Sequence, residues 1–246
     1  MNHLRTVPNH EQLSWLAASK IMECIKANPN AVICLAGGDT PLTTYAKLVK
    51  QVKEEKIDTS KLTFVSLDEW VGLDGEDIGS CRQMLNEYLY KPLHLNEQQI
   101  IFFNGKANNI YDEKERITNK MKEVNGIDFI LLGVGLNGHI GFNEPNLIGE
   151  KEWVQVVPLD DLTKKVSRKY FQATIPVSQG ITLGLKAILQ AKELLVIASG
   201  KKKAQIVKQI IEGPITNNIP ATKLRRHKNI SWILDEEAAV ELHQLS

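Results

Sequence analysis

Residues 127–133, IDFILLG, are apolar almost without interruption and lack the alternation of a strand that faces water on one side. AVICLA (31–36) and LLVIAS (194–199) have the same character, and LTFVSL (62–67), IIFF (100–103), VQVV (154–157) and ISWIL (230–234) read as further strands. Strands that are apolar throughout need cover on both faces, which is the situation of a parallel sheet between helices. Helix candidates lie between them. HEQLSWLAASKIMECIKAN carries Leu13, Leu16, Ala17, Met22 and Ile25 at helical spacing. PLTTYAKLVKQVKEE, SCRQMLNEYLY, YDEKERITNKMKEV and KKAQIVKQIIEG follow, the last closed by Gly213 and Pro214. This β/α alternation predicts an α/β fold with a mostly parallel, doubly wound sheet.

No internal repeat or long Pro/Gly/Ser linker divides the chain. It reads as a single domain over 1–246, with a small excursion, a lid, within 145–180. Thirty Lys and Arg against twenty-nine Asp and Glu give a net charge of +1, so there is no electrostatic footprint for nucleic acid or an acidic membrane. Cys24, Cys34 and Cys81 are far apart and odd in number, which suits reduced thiols in a cytosolic protein. The amino terminus has no apolar signal core, and no run approaches the ~18 apolar residues of a membrane span. The expectation is a soluble, cytoplasmic protein.

In a doubly wound sheet ligands bind beyond the carboxyl ends of the strands. Three turns there stand out. In AVICLAGGDTPLTTY, Gly37 and Gly38 follow a strand and Thr40-Pro41 opens a helix, with Thr40 as the expected N-cap. Glycines and a helix N-terminus suit an anion such as phosphate, although an ordinary tight turn would look the same. Asp39 complicates the anion reading, because a carboxylate repels phosphate unless it turns away or meets a cation. In FVSLDEWVGL, Asp68 and Glu69 follow a buried strand, either as a proton acceptor, as solvated turn acids or as the N-cap of a following turn. Asp74, Glu76 and Asp77 read as solvated loop charges.

The third turn, DFILLGVGLNGHIGFNEP, contains G-x-G-x-x-G at Gly133, Gly135 and Gly138. A dinucleotide fingerprint would place the third glycine at a helix start, but Gly141, Asn143 and Pro145 preclude a long helix from Gly138. What remains is a glycine-rich loop presenting His139 and Glu144. Histidine suits proton shuttling at neutral pH, and a nearby carboxylate can orient it. A structural histidine and a metal ligand are the alternatives. His-x4-Glu is poor zinc spacing and the other histidines do not cluster, so no metal is expected.

Together these turns resemble the glucosamine/galactosamine-6-phosphate deaminase/isomerase family, from about residue 10 to 236. The anchors are GGDTPLTTY, LDEWVGL, GVGLNGHIGFNEP, ITLGLKAIL, and ASGKKKA followed by EGPI. Trp70 and the N-E-P at 143–145 favour the amino-sugar branch over the related 6-phosphogluconolactonases, which carry D-E-R and lack N-E-P. Within that branch the chain looks closest to the galactosamine-6-phosphate isomerase subgroup. The resemblance implies a Rossmann-like three-layer fold with no redox cofactor and no catalytic metal. It implies a phosphate loop of Gly37, Gly38, Asp39 and Thr40, helped by Lys203 and by Arg168 or Lys169. Asp68 would remove the C2 proton of the open-chain sugar, and His139, with Glu144, would open the pyranose. The products would be a ketohexose 6-phosphate and ammonia.

Two departures stand out. Asn137 occupies the position of an Asp beside the histidine in glucosamine-type enzymes, and a neutral amide stabilises an imidazolium less than a carboxylate does. Asp39 replaces a small residue in the phosphate loop. The basic residues of an allosteric phosphate site are not visible near EKEWVQVVPL. Two other functions compete with deaminating isomerisation: a 6-phosphogluconolactonase-type hydrolase and a non-catalytic sugar-phosphate sensor. The sequence leaves the C4 epimer and the oligomeric state open.

Overall fold

A computed structural model describes residues 3–124, 126–146, 151–171 and 176–243. The chain begins with β1 (His3–Val7), α1 (His10–Ala27), β2 (Val32–Leu35), α2 (Asp39–Glu54), β3 (Thr63–Ser66) and β4 (Asp68–Trp70). Next come α3 (Cys81–Leu85), continued by a π-helical turn at Asn86–Tyr90, then β5 (Ile100–Ile101), α4 (Ile110–Glu123) and β6 (Phe129–Leu132). The second half holds β7 (Val154–Pro158), α5 (Asp161–Ser167), β8 (Gln179–Leu183), α6 (Leu185–Leu189) and β9 (Glu193–Ala198). It ends with α7 (Ala204–Glu212), β10 (Ile230–Asp235) and α8 (Glu236–Ala239).

Seven strands form one fully parallel sheet in the order β1-β10-β9-β6-β2-β3-β5. Alternate residues along each strand serve opposite layers. Ile33, Leu35, Phe129 and Leu131 pack with Leu13, Ile21, Tyr45 and Leu48 of α1 and α2. Their neighbours Cys34, Ile130 and Leu132 pack with Ile117 of α4, Ile188 of α6 and Ile206 of α7. This is the three-layer Rossmann-like arrangement that the uninterrupted apolar runs predict. From β2 the chain winds one way through β3 and β5, and from β6 the other way through β9 and β10. The switch point therefore lies between the carboxyl ends of β2 and β6, where Gly37–Thr40 and Gly133–Gly138 emerge.

Some expectations need correcting. VQVV is not in the parallel sheet; β7 pairs antiparallel with β8, and β8 with β4, in a separate three-stranded sheet. IIFF contributes only Ile100 and Ile101, and β1, β4 and β8 were not anticipated. Thr40 does not cap α2. The cap is Gly38, at φ +94°, which puts Thr40 at the second helical position, where its own backbone is already helical. Within 145–180, where a lid was expected, the described residues 151–171 hold β7 and α5; residues 147–150 and 172–175 lie outside the described residues. Among the described residues no helix is long and apolar enough to cross a membrane.

The small sheet is fastened by its own apolar cluster of Trp70, Phe142, Val157, Leu159, Phe171 and Val177. Trp70 meets Phe142 with ring centroids 4.5 Å apart, and Gly180 of β8 lies directly against Phe142. A Cβ at Gly180 would stand 2.3 Å from that ring. Gly180→Ala is therefore expected to destabilise the protein by about 1–3 kcal/mol through overpacking, read as a lower urea midpoint.

Candidate functional site

A cleft of about 960 Å³ opens over the switch point. Gly37, Gly38, Asp39 and Thr40 line one end, and Asp68 and Cys81 line its floor. Asn137 and His139 come from the loop after β6, Thr163 and Lys169 from α5 and the residues just after it, and Lys203 from the turn before α7.

Asp68 starts β4, where the chain leaves the large sheet to pair with Thr182 of β8. Its carboxyl is buried, and that burial raises it to about 6 even though the Cys81 thiol donates to it and His139 adds a favourable charge. A base needs such a balance: basic enough to take a proton, yet ionised near neutral pH. Glu69, the next residue, points elsewhere. Its carboxylate accepts from Ser80 Oγ at 2.7 Å, Cys81 N–H at 3.0 Å and Arg82 N–H at 2.9 Å, at the start of α3. Burial pushes Glu69 up to about 7 against those bonds. Its place is structural: it ties α3, and with it Cys81, to the strand that carries Asp68. Neither acid is solvated, so the solvated-turn reading fails for both.

The loop after β6 contains no helix. It holds His139 with its ring against Gly135, where a Cβ would stand 2.4 Å from Nε2. Only glycine permits that approach. On the other edge, His139 Nδ1 lies 3.3 Å from Glu144 Oε2 and 3.1 Å from Thr163 Oγ1. Burial alone would raise Glu144, but the contacts with His139, Thr163 and Asn137 bring its carboxyl below the ordinary range. An ionised Glu144 accepts only, so it fixes the network around it. Asn137 donates its amide N–H to Glu144 Oε2 at 2.9 Å and accepts from the His139 backbone N–H at 3.2 Å. In the neutral imidazole the proton then resides on Nδ1, and Nε2 presents its lone pair. Asn137 thus uses one donor and its acceptor as a bracket between loop and carboxylate.

Also in the cleft, the Lys203 ammonium donates to the Val134 carbonyl at 2.5 Å, in the same loop that carries His139. Burial, with Lys169 nearby, lowers its pKa to about 8. Lys169 forms an ion pair with Asp39. That contact answers the difficulty raised by Asp39: its carboxylate meets a cation.

The structure therefore brings Gly37, Gly38, Asp39, Thr40, Asp68, Asn137, His139, Lys169 and Lys203 to one cleft, with Glu144 buried just behind His139. Arg168 is a correction. It is the C-cap of α5, exposed and outside the cleft lining, because one residue of helical turn separates it from Lys169. Sequence reasoning missed Thr163, Cys81 and Tyr170. Thr163 lies in α5, a helix the sequence reading did not contain, Tyr170 lies just after it, and Cys81 carried no motif. Among the described residues no three His, Cys, Asp or Glu side chains converge as a metal site would require.

A family model described as glucosamine-6-phosphate isomerases/6-phosphogluconolactonase matches residues 9–232. The chain belongs to this family of sugar-phosphate enzymes. Among its curated relatives, glucosamine-6-phosphate deaminase of Clostridium perfringens strain 13 is 39% identical over 234 residues, covering 94% of this chain and 96% of that protein. The solved structure of a monomeric glucosamine-6-phosphate deaminase superposes with a TM-score of 0.93 at 33% identity, covering 97% of this chain and 99% of the other. The 6-phosphogluconolactonase of Trypanosoma brucei, at 23% identity and a TM-score of 0.79 over 99% of both chains, shares the fold.

Thr163→Val keeps the volume and removes the hydroxyl from the His139 network. It is expected to leave the thermal midpoint nearly unchanged and the Nδ1–H tautomer in place, because ionised Glu144 still accepts from Nδ1, whereas Glu144→Gln, which can donate as well as accept, should give a mixture. Long-range proton–nitrogen NMR of the neutral ring reads this directly, and a mixed pattern in Thr163→Val would show that the hydroxyl, not Glu144, sets the tautomer.

Proposed function

We propose that this protein deaminates and isomerises an amino-hexose 6-phosphate in the cytoplasm, giving a ketohexose 6-phosphate and ammonia. One observation carries the reading. A desolvated carboxylate, Asp68, faces the same cleft as an imidazole whose free Nε2 is set by Glu144, and Lys169 and Lys203 line that cleft beside Gly38 and Asp39. The 6-phosphate would rest on the backbone N–H groups after Gly38 and on Lys203 and Lys169. That places C1 and C2 toward His139 and Asp68.

His139 Nε2 would move a proton between the C1 hydroxyl and the ring oxygen, opening the pyranose. Asp68 would take the C2 proton, forming an enolamine, and return it to C1. The resulting C2 iminium adds water and expels ammonia. Atoms and electrons balance with water as the only co-reactant. Galactosamine 6-phosphate is our preferred substrate, on the strength of LDEWVGL and Asn137; glucosamine 6-phosphate stands next, supported by the activity of the relatives.

Separate incubations with galactosamine 6-phosphate, glucosamine 6-phosphate and 6-phosphogluconolactone test this. Ammonia release from an amino sugar is expected, with Asp68→Asn lowering its rate by about 10²-fold or more. Acid release from the lactone alone would replace the reading by a hydrolase, and binding without turnover by a sensor.

A pH profile adds an independent check. Asp68 is raised to about 6 and acts as its ionised form, so kcat/KM should fall as pH drops through about 6, and it should fall again as pH rises through about 8, where Lys203 loses the charge that would hold the phosphate. A limb near the ordinary carboxylate range, at about 4, would show that Asp68 is not the base.

A further inference from the structure

The Asp39–Lys169 ion pair joins two parts of the chain that are 130 residues apart, the first turn of α2 and the segment that follows α5. Both of its members line the cleft. Asp39 is the first residue of α2, so its carboxylate also sits where the helix offers positive partial charge. The Tyr170 hydroxyl completes the arrangement. It lies 3.5 Å from where a Cβ on Gly38 would be, beside the Asp39 backbone N–H, while the Lys169 ammonium stands 4.7 Å from the Tyr170 ring centroid. Of the groups available to an anion here, Lys169 already holds a carboxylate, while no side chain caps the N-terminus of α2.

We propose that Asp39 is an internal counter-anion that sets the affinity of the phosphate cradle, holding Lys169 until the dianionic phosphate of the substrate takes its place. The inference rests on the reading of this end of the cleft as the phosphate site. Three charge relations support it. Lys203 and Lys169 act on each other as like charges, and Asp39 offsets part of that. An incoming phosphate supplies about two negative charges against the single one of a carboxylate, so it competes well for Lys169. Asp39 and the phosphate cannot both stay close to each other without repulsion, so binding requires the carboxylate to release Lys169 and swing outward. Both side chains are about half exposed, which gives them room to part. An exposed ion pair is weak by itself, so the exchange is affordable. Its effect is to discount phosphate affinity while keeping the Lys169 segment docked over an unliganded cleft.

Inorganic phosphate, titrated by calorimetry at constant ionic strength, tests the proposal as a double-mutant cycle. Asp39→Asn is expected to lower the phosphate Kd by about threefold or more, the range set by an exposed ion pair plus relief of repulsion. Lys169→Met should weaken binding, and adding Asp39→Asn to it should recover little, because Asp39 acts by occupying Lys169. Asp39→Ser, which restores a small side chain, serves as a second variant if the amide perturbs the turn. Equal phosphate Kd in wild type and both Asp39 variants overturns the proposal and leaves the cradle standing. An equal gain in the Lys169→Met background also overturns it, by assigning the effect to repulsion alone. Phosphate binding to none of these proteins would remove the cradle itself, and the counter-anion with it.

Discussion

The constraint on which the rest depends is that all seven strands of the large sheet run the same way. Parallel strands deliver every following loop to one edge, and a sheet wound in both directions leaves a gap between two of those loops. Here the gap separates the turn after β2 from the loop after β6. Backbone N–H groups at the start of α2 and the imidazole of His139 face each other across it without any long-range folding device beyond strand direction. The small antiparallel sheet then adds a third wall. β4 peels away from the end of β3 and brings Asp68 to the floor, while α5, in the segment between β7 and β8, brings Thr163 and Lys169 from above.

Much of this was legible in the residues. Uninterrupted apolar runs such as IDFILLG identify strands buried on both faces, and the turns beyond them are the only places where polar side chains can gather. The glycines, His139, Glu144 and Asp68 could therefore be read as site residues before their geometry was known. Other parts were not legible, for physical reasons. Three-residue β4 follows β3 after a single residue, so its composition merges with the longer apolar run. β8 contains Gln179 and Gly180, residues that ordinarily argue against a strand interior; Gly180 is there because the Phe142 ring needs its space. Thr40 looked like a cap because caps are chosen by side chain in sequence, whereas this helix starts two residues earlier on a backbone conformation that glycine, here Gly38, adopts with ease. Thr163 gave no signal, since its role exists only through contacts with residues about twenty positions away.

Burial governs the chemistry more than charge count does. The net charge is close to zero, yet the cleft separates its charges by environment. A desolvated acid sits on the floor, a paired acid lies behind the imidazole, and a desolvated lysine lines the same cleft. The same residue types on the surface would titrate near their ordinary values and support no reaction. Asn137 fits this pattern. With Glu144 buried and ionised, a second carboxylate beside it would be a like charge in a confined space, and the amide instead supplies the donor that Glu144 lacks.

The adjacent acids of β4 carry one further consequence. Because successive side chains of a strand emerge on opposite faces, Asp68 opens onto the cleft while Glu69 is sealed against α3, and the two form no shared-proton pair. Which acid meets the ligand is thus decided by registration rather than by identity. Asp68 faces Thr182, Glu69 faces Ile181 and Trp70 faces Gly180. A slip of one residue would turn the carboxylate that is wired to backbone donors outward and bury the reactive one. The tryptophan that seats against Phe142 holds this register, so an aromatic contact in the wall of the cleft selects the base.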